Sequence, residues 1–315
     1  MKNSEKISAI LRTDTGLVRD HNEDFVSYWE PGSPEEEARH GWLYIVADGV
    51  GGADAGEVAS KLSSERTITH YLEDSESPDL GQRLLNAMQA ANTDLRQHVL
   101  ERNDNSRMAT TMVAAVLHKG LAYIANVGDS RGYLWRNGRI QQVTKDQSLV
   151  AKLVEEGAIT EEEAHFHPRR NVILYSLGSE RSPKIDLFEQ PLQTGDMLFL
   201  CSDGLTRHVA DEEIAYVLSQ ETMDTACTTL IGRANERGGE DNISVAIIRF
   251  DGEATAVAHP TTHKTTAPQD SLVIGNRQQS PPGTAAHRST LWLYTVVLGL
   301  VQSLLIFLVW FLLRV

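Results

Sequence analysis

Five aspartates stand in glycine-rich or turn-like text beside apolar runs: Asp24 in RDHNED, Asp48 in VADGVGG, Asp129 in NVGDSRG, Asp203 in LCSDGL and Asp241 in GEDNIS. Asp48, Asp129 and Asp203 each follow a strand-like run, and Asp241 precedes one. A strand end fixes a carboxylate in place and leaves it facing a cleft. The glycine after Asp48 and after Asp203 lets a carbonyl or a ligand approach closely. Carboxylates brought together repel and lose their charge unless a cation holds them. Carboxylate, carbonyl and water are the ligand set of Mg²⁺ and Mn²⁺. The five therefore read as a hard-cation site, binuclear, at the ends of several strands. A lone Asp-Gly is more often a turn, and Asp48 by itself would be read as one. The repetition of the pattern shifts that balance.

The elements around these residues are of mixed type. Residues 7–13, 42–47, 112–117, 121–127, 132–135, 197–201 and 243–250 have the composition of strands. Strands 112–117 and 121–127 are joined by a three-residue turn, and Asn137-Gly138 joins 132–135 to 140–143, so both pairs read as hairpins. Helical periodicity marks 56–72, 80–102, 149–156, 211–219 and 223–237. Hairpins with grouped helices predict an α+β layered domain with antiparallel sheets, over residues 5–250.

Composition narrows the function. The net charge is -14, and residues 251–315 hold four cations against three anions, so the acidity lies in the first 250 residues. An acidic body lacks the basic footprint of a nucleic-acid binder. Two cysteines, Cys201 and Cys227, make no disulfide framework. Residues 251–290, rich in Pro, Thr, Gln, Ala, Gly and Ser, read as a flexible linker. Residues 291–313 are apolar and uncharged, with Trp292, Tyr294 and Trp310 near their ends. That length spans about 30 Å of hydrocarbon and predicts one transmembrane helix. The cations at Lys264, Arg277 and Arg288, and an N-terminus without an apolar leader, predict a single-pass membrane protein with its large domain in the cytoplasm.

The order GLVRDHNED (16–24), ADGVGG (47–52), GDSR (128–131), SDGL (202–205) and EDNIS (240–244) resembles the bacterial PP2C-type metal-dependent protein phosphatases. The likeness covers about residues 7–250 and extends to AGEVAS (55–60) and to residues 147–178. It implies a four-layer α-β-β-α fold, with an antiparallel β-sandwich flanked by helices on both faces. It implies hydrolysis of phosphoserine and phosphothreonine by a water activated on two Mn²⁺ or Mg²⁺ ions, with a third ion possible. By the same resemblance Asp48 bridges the two ions, the Gly49 carbonyl and Glu23 bind the second, and Asp203 and Asp241 complete the first. Arg19 binds the substrate phosphate, and Asp129 goes with the third ion. The implied partners are phosphorylated proteins, among them a serine/threonine kinase and its substrates.

There are departures. Where relatives carry a histidine as general acid, this chain has Val50 and Ala53, which leaves His21 or a water for that part. Gln147 and Ala109 also differ from the usual text. Residues 145–178 resemble a mobile flap in which Arg169 and Arg170 either face solvent or meet an acidic substrate. The alternative reading is a pseudophosphatase, a tethered module that binds phosphoproteins without turnover.

Overall fold

The computed structural model of the chain describes residues 6–51, 55–74, 77–102, 108–252 and 262–266. Two antiparallel sheets make up its centre. The first has strand order β1 (Ile7–Asp14), β10 (Ile243–Phe250), β9 (Asp196–Cys201), β6 (Arg131–Arg136), β7 (Arg139–Gln142). The second runs β11 (Thr262–Thr265), β8 (Asp186–Pro191), β5 (Leu121–Val127), β4 (Ala109–His118), β3 (Trp42–Val50), β2 (Asp24–Trp29).

Strand β3 shows why the sequence carries apolar runs here rather than a simple alternation. Tyr44 and Val46 point between the sheets, where they meet Val113, Leu198, Leu200 and Ile248. Leu43, Ile45 and Ala47 point the other way, into the helices α2 (Ala55–Glu73) and α3 (Leu80–Arg102). Both faces are covered, so both registers are apolar. The first sheet is covered likewise: Phe199, Cys201, Val245 and Ile247 pack against α7 (Asp211–Gln220) and α8 (Met223–Glu236). Cys201 and Cys227 are free thiols buried in that layer. The four layers α-β-β-α agree with the expected class.

Helix α2 lies close to its sheet because its inner face is small: Ala59, Ser60, Ser63, Ser64 and Thr67 are all fully buried. Short elements escaped the sequence reading. These include β2, β8, the helix α1 (Pro34–His40) capped by Ser33, the capped α5 (Glu161–His165), and the one-turn α6 (Asp203–Thr206). Each is too short for periodicity to show. Helix α4 (Leu149–Glu155) stands where expected.

The expected linker needs a correction. Within 251–290, residues 262–265 form β11 and pair antiparallel with β8, Thr265 opposite Asp186. The segment is polar but β-prone, and its side chains find partners on the sheet edge. The expected transmembrane helix at 291–313 lies outside the described residues. Among the described residues no helix is long and apolar enough to cross a membrane.

Candidate metal centre

Topology brings the aspartates together. Asp24 opens β2 and Asp48 lies near the end of β3, directly opposite each other in the ladder. Two connections cross between the sheets at this same end. Residues 15–23 lead from β1 to β2 and carry Arg19 and Glu23; residues 128–130 lead from β5 to β6 and carry Asp129. Asp203 begins α6 just after β9, and Asp241 lies two residues ahead of β10. Neighbouring antiparallel strands put all these ends on one rim.

Backbone and small polar side chains fasten the rim. Ser202 donates its hydroxyl to Asp24 Oδ2 at 2.7 Å, and accepts from the Ser244 amide at 2.9 Å, so it ties the two sheets together. Thr110 donates to the Asp48 carbonyl at 2.8 Å, and Thr111 shares a 2.7 Å hydrogen bond with Ser130. Asn242 holds the 15–23 connection. Its amide nitrogen donates to the carbonyls of Thr15 and His21, both at 2.9 Å, and its oxygen accepts from the Glu23 amide at 2.8 Å. Gly49 and Gly204 allow the close approach: a Cβ on Gly49 would lie 2.2 Å from the Gly56 carbonyl oxygen, and one on Gly204 2.0 Å from that of Asn242.

The electrostatics are those of crowded acids. Burial pushes Asp48 well above the usual carboxylate range, helped by the charges of Asp24 and Asp203. Burial likewise pushes Asp24 up to about 7, against hydrogen bonds from Ser202 and Ser244. Asp129 is pushed up to about 8 by burial and then by Asp203. Burial raises Asp203 too, with Arg207 opposing and Asp241 adding. Glu23 is raised by burial, against the pull of Arg19.

Two guanidinium groups now hold part of this charge. Arg207 bonds Asp203 through Nη2, and reaches Asp241 Oδ2 at 2.9 Å through Nη1. Arg19 Nη2 lies 2.8 Å from Asp241 Oδ1. Arg19 therefore meets an acid of the cluster itself, and not Glu23 or Asp24. Among the described residues no three carboxylate, imidazole or thiol groups stand together as one ready-made clasp. The donor set nonetheless fits hard cations. Asp129 Oδ1 and Asp203 Oδ1 are buried without a hydrogen-bond partner, and buried oxygens left so are rare unless something else satisfies them.

All the predicted site residues that are described lie along this rim: Arg19, Glu23, Asp48, Gly49, Asp129, Asp203 and Asp241. Asp24, one of the five aspartates of the sequence reading, faces Asp48 across the ladder, whereas the resemblance assigns a ligand role to its neighbour Glu23. Two further residues of the rim were not singled out. Arg207 had a signal, four residues after Asp203 on the same helical turn. Asn242 had none, because its partners are more than 200 residues away in sequence. His21 is exposed. Val50, 39% exposed, brings no acid–base group, and Ala53 lies outside the described residues.

An open cleft of about 1850 Å³ leads to the site; Asp129, Asp203 and Arg207 line it, and Asp146, His165 and Arg170 stand on the side of the 145–178 segment. Arg131, half-buried, clamps Asp146 with three hydrogen bonds of 2.7–3.0 Å and anchors the start of that segment. Arg170 Nη2 lies 4.0 Å from Glu240 Oε2, beside Asp241.

A two-sheet, four-layer fold with oxygen donors gathered at one end of the sandwich defines the class of metal-dependent phosphatases. The chain matches the protein phosphatase 2C family over residues 22–242. It is 39% identical over 247 residues to the serine/threonine phosphatase stp of Listeria monocytogenes, covering 77% of this chain and 96% of the relative. It is similar in structure to the serine/threonine phosphatase Stp1 from Staphylococcus aureus, with TM-score 0.72 and 34% identity over 80% of this chain and 98% of that one. The catalytic domain of the serine/threonine protein phosphatase PstP, solved in complex with two manganese ions, aligns with TM-score 0.66 and 35% identity over 78% of this chain and 99% of that one. The chain belongs to the protein phosphatase 2C family and is a metal-dependent protein serine/threonine phosphatase.

Proposed function

We propose that this rim hydrolyses phosphoserine and phosphothreonine in proteins, with two Mn²⁺ or Mg²⁺ ions that Asp48, Asp203, Asp241, Glu23 and the Gly49 carbonyl would hold; Asp129 would serve a third. The observation that carries this reading is the set of buried carboxyls with raised pKa values and unpaired oxygens in one cluster. When bound, the ions supply Lewis acidity that lowers the pKa of a water for attack on phosphorus. The chain's own residues do the rest. Arg19, exposed on the crossing loop, turns its planar fork from Asp241 to the phosphate oxygens and offsets their charge. Asn242 keeps the Arg19 loop in place. The buried walls around Asp24 and Asp129 hold a low dielectric, in which these charge interactions are strong. The leaving oxygen takes its proton from water or from His21, which is exposed.

The test is turnover of a phosphothreonine peptide by the full chain. Turnover that requires Mn²⁺ and is lost in Asp48→Asn supports this reading. A folded, Mn²⁺-binding protein without turnover would sink it in favour of a phosphoprotein-binding module.

The apolar stretch 291–313 anchors the enzyme in the cell membrane with the catalytic domain on the cytoplasmic side. There it opposes a serine/threonine kinase, and the tether raises its effective concentration near shared substrates. Recovery of the full chain in the soluble fraction of cells would count against the anchor.

A further inference from the structure

Gln147 is nearly buried and is gripped at both ends. Its oxygen accepts from the Gly128 amide at 2.9 Å, next to Asp129. Its amide nitrogen donates to Asp186 Oδ2 at 2.8 Å and to the Lys184 carbonyl at 3.2 Å. Its own backbone amide donates to the Gly128 carbonyl at 2.9 Å. Gly128 has φ +97 and no room for a side chain, since a Cβ there would lie 2.6 Å from Thr111. The turn that aims Asp129 is therefore set by one glycine and one glutamine.

Asp186 is the second link. It is 1% exposed, and an unpaired carboxylate so placed is strongly destabilising. Two of its donors come from β11: Thr265 Oγ1 at 2.6 Å and His263 Nε2 at 3.1 Å, both to Oδ1. The His263 ring stacks on Phe188 at 4.7 Å, and Thr266 bonds Ile185 through both backbone and side chain. Lys184 Nζ stands 3.4 Å from Oδ2. Without β11, Oδ1 loses both of these partners, and the carboxylate is held only through Oδ2, by Gln147 and Lys184.

We propose that Gln147 is a positioning residue for Asp129, and that β11 is its latch. The strand thus holds the third-ion turn in register through Asp186. Pairing of β11 with β8 and the order of the site are one coupled state. The proposal rests on the reading of Asp129 as a cation ligand for its catalytic consequence, but not for the relay itself.

The test uses the full chain and the double variant His263→Ala/Thr265→Val; neither residue is a proposed ion ligand, although His263 lines the cleft. Hydrogen exchange over residues 126–131 reports the relay directly. Titration with Mn²⁺ alone reports the ion site, and peptide kinetics separate kcat from KM. Loss of hydrogen bonds of ordinary net strength should speed exchange at Gly128 about three- to tenfold and raise the half-saturating Mn²⁺ for the weakest site by a similar factor. KM at saturating Mn²⁺ should move less than about twofold. Gln147→Glu, which keeps the acceptor for Gly128 but loses the donor to Asp186, should reproduce both changes. Faster exchange in β11 with unchanged exchange over 126–131 would overturn the relay. Faster exchange over 126–131 with unchanged Mn²⁺ titration would keep the relay and overturn Asp129 as a ligand, a point that Asp129→Asn checks independently.

Discussion

At the residue scale the decisive pair is Asp203 and Asp241 with Arg207 between them. Their side chains are 14%, 17% and 22% exposed, so the ion pairs are shielded from much of the solvent screening. A divalent ion and a guanidinium compete for the same oxygens. Arg207→Met should therefore tighten Mn²⁺ binding about tenfold, the equivalent of about 1.4 kcal/mol. The same change should lower the stability of the metal-free protein by about 1–2 kcal/mol, because the two carboxylates lose their counter-charge. Calorimetric titration and urea unfolding in EDTA read the two effects, and an unchanged or weaker Mn²⁺ affinity would show that Arg207 does not compete. The aspartates were legible from their glycine-rich contexts. Arg207 was legible only as a neighbour of Asp203 one helical turn on; the fold shows that its fork reaches Asp241 as well.

At the element scale the site depends on how closely strand ends and short turns approach one another. Gly204 is the tightest such point, with the Asn242 carbonyl 2.0 Å from where a Cβ would stand. Gly204→Ala must push α6 away from the start of β10 and so separate Asp203 from Asp241. Overpacking of this kind costs about 1–3 kcal/mol. Urea unfolding should show that loss, and activity at fixed Mn²⁺ should drop further than the loss of folded protein explains. Activity that merely tracks the folded fraction would show that the two ligands stay together. The long helices and the hydrophobic strands were readable from periodicity and run length. Strand β11 was not, since a polar THKT segment has no pattern of its own and is ordered by Asp186, Phe188 and the edge of β8.

At the scale of the whole molecule the buried acids make stability depend on pH and on metal. Asp24 and Asp129 are pushed up to about 7 and about 8, chiefly by burial, while in the unfolded chain aspartates ionise near ~3.9. Between those limits the folded state binds more protons, so their stabilising contribution is full below about pH 4 and fades as pH rises through 7 to 8. His118, pushed down to about 4 by burial, works the other way, but only below its ordinary range near ~6.5. The aspartates therefore govern the window from about pH 6.5 to 8.5. The melting temperature in EDTA should fall across that window. Excess Mn²⁺ should remove most of the fall, because an ion at 100 times its Kd adds about 2.7 kcal/mol. A flat or rising profile in EDTA would mean that these carboxyls are ionised in the metal-free fold.

What the sequence determined by itself was local and chemical: which residues carry oxygen donors, which segments are apolar enough to form strands and helices, and that hairpins with grouped helices make an α+β layered domain with antiparallel sheets. Those follow from side-chain type and from periods of two and 3.6 residues, which a chain carries in its text. The tertiary structure decided which donors meet and what holds them. Asp24 faces Asp48 only because β2 and β3 pair in that register. Asn242 gathers residues 15–23 only because β10 lies beside β1. Gln147 reaches both Gly128 and Asp186 only because β5 and β8 are neighbours. Such contacts join residues far apart in the chain through single hydrogen bonds, which leave no periodic trace in the sequence and exist only once the layers have packed.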